Sequence, residues 1–138
     1  MNNAMEPSFG ASEQAVLDEI GHRLRARGWA AHVTVARLLR DWQKLSGSVD
    51  RYKMTIDDYT NDLTARDALE IVLAECQEPL RAKLRLPIEG ADKEFLARTQ
   101  EDVGHTLERY FQISQSSGWW WKRRPVTGPL AEFLTRQG

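Results

Sequence analysis

Arg98 and His105 are the residues of this chain whose types and spacing point most sharply to chemistry. On a helix, positions seven apart lie two turns along nearly one face, so a guanidinium and an imidazole there would converge on one phosphodiester. The imidazole would move a proton at a ribose hydroxyl or at the leaving oxygen, while the guanidinium held the charge developing on the phosphate. Other constellations fail on spacing. His22, His32 and His105 show no zinc-finger, HExxH or paired-histidine pattern. The run Asp58-Tyr59-Thr60-Asn61-Asp62 offers alternating oxygens, but Leu63 stands where a calcium loop turns on glycine and Leu69 where it needs a bidentate glutamate. Cys76 has no basic neighbour in sequence and sits in an apolar helical pattern, which makes it a core residue. Neither a metal nor a cofactor is expected.

The Arg98–His105 spacing is similar to the Arg-x(4-6)-His motif of HEPN-type ribonucleases, which are small and all-helical. The resemblance covers those two residues, and it implies metal-independent RNA cleavage with Arg98 and His105 at the centre. Arg27 and His32 share the same loose spacing. RNA cleavage, or RNA binding without cleavage, is therefore the alternative reading rather than the leading one.

A second constellation concerns recognition. In Trp119-Trp120-Trp121-Lys122-Arg123-Arg124-Pro125, no regular element can bury three adjacent indoles on one face. Read as an extended arm, the run puts Trp119 and Trp121 in the core and leaves Trp120 free beside Lys122 and Arg124. Trp and Arg are the residues most enriched in interface hot spots, so Trp120, Lys122, Arg123 and Arg124 form one candidate partner surface. An acidic face carrying Asp57, Asp58 and Asp62 is the other.

The elements that must position these groups are helical. Of 138 residues, 41% are hydrophobic and 28% charged, the balance of a globular protein, and a net charge of −1 removes the bulk electrostatic case for nucleic acid or anionic membrane. Charge comes in blocks. Residues 22–44 carry six bases against Asp41, and residues 57–78 carry seven acids against Arg66, so the blocks can pair within one chain or across a homodimer. With one cysteine, no signal-like start and no long apolar run, the expectation is a cytoplasmic protein that does not enter membranes.

Residues 1–11 read as a disordered lead and 12–138 as one helical domain. Ser12 is placed to cap a first helix with Val16, Leu17, Ile20 and Leu24 inward, and Gly28 to end it. Val35, Leu38, Trp42, Leu45, Val49 and Tyr52 alternate by three and four, a helical seam opposed by Ser46-Gly47-Ser48. Alternation over 49–56 favours a strand, followed by a capping box at Thr55-x-x-Asp58. A second box is read at Thr64 and Asp67, opening a helix to about Gln77; Pro79 starts a short turn through Leu84. Asp92 would cap a long helix collecting Phe95, Leu96, Val103, Leu107, Tyr110 and Phe111. Gly128-Pro129 opens the last helix.

The expectation is a mainly α bundle of five or six helices, with residues 50–56 and 118–124 able to pair as a short antiparallel ribbon. Its expected role is that of a non-catalytic protein-interaction module, an adaptor, regulator or immunity-type inhibitor, whose partner is another protein.

Overall fold

A computed structural model of the chain describes residues 9–103, 105–110 and 118–137. Its helices are α1 (Ala11–Ala26), α2 (Val35–Ser48), α3 (Ile56–Glu75), α4 (Leu80–Arg98) and α5 (Pro129–Gln137), and its strands β1 (Thr99–Glu101) and β2 (Arg123–Pro125). The mainly α architecture with a small antiparallel ribbon is the one expected. Among the described residues no helix is long and apolar enough to cross a membrane. Of the N-terminal lead, residues 1–8 lie outside the described part, as do residues 111–117.

Helix α2 is the centre of the bundle and packs on both α3 and α4. Thr34 caps it, its Oγ1 accepting from the Arg37 N–H at 3.1 Å. All six seam residues, Val35 to Tyr52, are buried. The helix runs through Gly47 to Ser48 and tightens into a 3₁₀ turn at Val49–Arg51, so the Ser-Gly-Ser breaker does not break it. Burying Leu45 and Val49 outweighs a glycine cost of about 1 kcal/mol. The strand expected at 49–56 is absent; Tyr52 is extended, and its carbonyl accepts from the Leu130 N–H at the start of α5.

Helix α3 begins as the sequence indicates. The Asp58 N–H donates to Thr55 Oγ1 and the Thr55 N–H to Asp58 Oδ2, both at 3.2 Å. The second expected box is not a helix start. Thr64 and Asp67 lie inside α3, where Thr64 Oγ1 donates to the Asn61 carbonyl. Helix α1 starts two residues earlier than expected, with Gly10 rather than Ser12 as its cap and Glu13 Oε1 accepting from the Gly10 N–H at 3.0 Å. Its inward face is Leu17, Ile20 and Leu24, while Val16 is exposed. Gly28 follows the helix end at φ 104°.

The largest departure is α4. It continues from Leu80 through Pro87 and Gly90 to Arg98. A proline inside a helix costs about 3 kcal/mol, but Leu84, Pro87, Ile88, Ala91 and Phe95 are all buried along this stretch and offset it. The helix then stops where a longer one was expected to continue, with Thr99 extended and its Oγ1 donating to the Phe95 carbonyl at 2.7 Å. Leu96 and Val103, expected in its core face, are exposed. Beyond Arg98 the chain forms β1, which pairs with β2 in the register Thr99↔Pro125, Gln100↔Arg124, Glu101↔Arg123. The ribbon thus forms with 99–101, not 50–56, as partner of the basic arm.

The charge blocks pair partly within the chain. Arg23 and Arg27 on the α1 end meet Glu75 at the end of α3, at 3.1 and 2.9 Å. Gly128, at φ 98°, lets the chain pass close to the Asp50 carbonyl before α5 buries Leu130 and Leu134.

Candidate functional site

The tryptophan run is a 3₁₀ turn, Trp119–Lys122, entered from Gly118. With about three residues per turn the three indoles splay by roughly 120° rather than alternating across a strand. The expected sidedness is therefore inverted. Trp120 is the buried ring, 4% exposed; Trp121 is partly buried and Trp119 is 36% exposed. Gly118 makes this possible, since a Cβ there would fall inside the van der Waals surface of the Trp120 ring.

Helix α3 supplies what holds the buried indole. The Arg66 guanidinium lies 4.4 Å from the centre of a Trp120 ring. Asp67 Oδ1 accepts from Trp120 Nε1 at 2.9 Å and from Trp121 Nε1 at 2.8 Å. One carboxylate thus ties down two adjacent indoles. Burial pushes the Asp67 carboxyl above its ordinary pKa, and the indole donors from Trp121 and Trp120 only partly counter that.

Arg66 is itself fully engaged. Its Nε and Nη2 donate to the two oxygens of Asp92, each at 2.9 Å, and Nη1 to Glu70 at 2.7 Å. Burial disfavours its charge, but the bonds to Asp92 and Glu70 outweigh that and raise its pKa. Asp92 also accepts from Trp42 Nε1 at 2.9 Å. Asp92 is therefore not a helix cap but the node joining α2, α3 and α4. Sequence reasoning missed this network. Its available signal was Arg66, the lone base of an acidic block.

Of the basic residues in the arm, Lys122 is exposed. Arg123 turns inward, its Nε donating to Thr99 Oγ1 and its Nη2 to the Thr99 carbonyl, both at 2.8 Å. Its own carbonyl accepts from the buried Tyr59 hydroxyl at 2.8 Å. Arg124 faces the buried Asp102 carboxylate at 3.6 Å. Trp119 packs on Phe95, ring centres 6.0 Å apart, and lies edge-on to Trp120. Leu96 and Val103, both exposed, lie on the segments that meet this turn: Arg123 Nη2 reaches the Leu96 carbonyl, and the Asp102 N–H donates to the Lys122 carbonyl.

The acidic face is also largely committed inside the fold. Asp57 is exposed, Asp58 belongs to the capping box, and Asp62 accepts from the Tyr52 hydroxyl at 2.6 Å. Burial first, then the Asp58 and Asp41 carboxylates, raise the Asp62 pKa against the effect of the tyrosine bond; Tyr52 is pushed up by burial and by Asp62.

Arg98 and His105 do not share a helix. Arg98 ends α4 and meets Glu94 at 2.8 Å and Asp50 at 3.5 Å. His105 lies beyond β1 at φ 52°, exposed, with Nδ1 3.2 Å from Glu108. The two-turn relationship that would aim both at one phosphate is not formed. Cys76 is buried, and among the described residues no three His, Cys, Asp or Glu side chains gather as a metal site. Compared with protein-family models, curated proteins and solved structures, the chain matches none.

Proposed function

We propose that this chain is a non-catalytic protein-interaction module whose contact surface centres on Trp119 and Lys122, with Leu96 and Val103 at its margin. The observation that carries the reading is that an indole stands partly exposed on a base fixed by Trp120, Trp121 and Asp67. A large aromatic already held in place loses little freedom on docking, and a neighbouring lysine suits an acidic partner rim.

The test uses a photoreactive residue at position 96 or, on α1, at the exposed position 14. Irradiation in native lysate should cross-link a discrete protein from position 96 and not from position 14. Equal products from both positions, or none from 96, would contradict the assignment.

A further inference from the structure

Helices α3 and α4 run antiparallel, tied at one end by Arg81 to the Leu73 carbonyl and at the other by Arg66 to Asp92. Between the ties lies a cleft of about 380 Å³ with a mainly polar lining. Leu73, Ala74 and Ile88 supply its apolar part.

The charges in this cleft are equal in number but unequally satisfied. At the far end Arg66 is bonded to both oxygens of Asp92 and to one oxygen of Glu70, so one cation faces two carboxylates and that end stays electronegative. Arg81 is different. Its Nε and Nη2 donate to the Leu73 and Cys76 carbonyls, which orient the guanidinium without cancelling its charge. Arg85, one turn further along the same face of α4, lines the cleft and has neither a hydrogen bond nor an ion pair among the described residues. Glu89, a turn beyond, is likewise without one. The Arg81 end is therefore electropositive, while the exposed Glu70 and Glu89 carboxylates stand further along.

We propose that this cleft binds a small zwitterion, with its carboxylate between Arg81 and Arg85 and its ammonium against Glu70 and Glu89. A guanidinium fork matches a carboxylate geometrically, and the two glutamates disfavour a dianion in so short a cleft. The assignment does not depend on the tryptophan arm.

The experiment is an NMR titration of the full chain with three probes: triglycine, propionate and inorganic phosphate. Triglycine should shift the α3–α4 amides saturably, and propionate, which lacks the ammonium, should bind about tenfold more weakly. Arg85→Gln should weaken triglycine by about tenfold with an unchanged unfolding temperature, since Arg85 holds no part of the fold. Glu89→Gln should narrow the gap between triglycine and propionate. Absence of saturable triglycine shifts, indifference to Arg85→Gln, or phosphate binding more tightly than triglycine would overturn the proposal.

Discussion

Asp67 accepts hydrogen bonds from two consecutive tryptophans, Trp120 and Trp121, so one carboxylate on α3 decides which indole of the run faces solvent. Trp120 is further fixed beneath Arg66. The ring that the local pattern would leave free is thereby taken into the fold, and Trp119 is left at the surface.

Removing that carboxylate should loosen the arm. Asp67→Ala strands two partly buried indole donors, and bonds to a charged group contribute about 1.5–3 kcal/mol each, with the pair sharing one acceptor and so not fully additive. A loss of about 2–4 kcal/mol in urea unfolding is expected. A loss below the error of the measurement would mean that the clasp does not form.

The same residue gives a pH signature. The folded state holds the Asp67 carboxyl above its ordinary pKa, so it binds that proton more tightly than the unfolded chain does. Its stabilising contribution is full below the unfolded value near 3.9 and is lost as pH rises through the folded value. Comparing wild type with Asp67→Asn across this window, the stability difference should move in favour of the variant as pH rises. Movement the other way would contradict the raised pKa.

Arg66 and Asp92 should behave as a buried pair. Arg66→Met leaves Asp92 with an uncompensated charge, and a loss of about 3–5 kcal/mol is expected. Adding Asp92→Leu should recover part of it, the remainder reflecting the orphaned Trp42 N–H. If the double variant is less stable than Arg66→Met alone, the pairing is wrong.

Two glycines should respond with opposite signs. Gly118→Ala drives a methyl into the Trp120 ring and should cost about 1–3 kcal/mol. Gly90→Ala, inside α4 with open space around it, should stabilise by about 0.5–1 kcal/mol. Thermal unfolding of both variants provides the check.

Local signals in the sequence located several elements well. The Thr55 capping box and the Gly128-Pro129 helix start each depend on residues a few positions apart, and each appears as expected, whereas the α2 seam persists through a breaker that favours a strand. What was not legible depends on distant partners. Helix α4 reads locally as a short turn to Leu84 and a separate helix from Asp92, yet it is continuous because the face from Leu84 to Phe95 is buried against other helices. The arm read as a strand facing the wrong way because its acceptor, Asp67, lies 53 residues from Trp120. Asp92 looked like a cap, since its spacing gives no hint of Trp42 or Arg66. The ring of the run left at the surface is therefore Trp119 rather than Trp120.

The sharpest measurement is a paired one on Trp119→Ala and Trp120→Ala, combining unfolding free energy with affinity for the protein cross-linked from position 96. Trp120→Ala should cost about 3–5 kcal/mol of stability, as truncation of a buried aromatic does. Trp119→Ala should cost less than about 1.5 kcal/mol of stability while weakening partner affinity by at least about 30-fold, the size of a hot-spot loss. If Trp119→Ala binds the partner as tightly as wild type while folded, the surface is not where the partner docks.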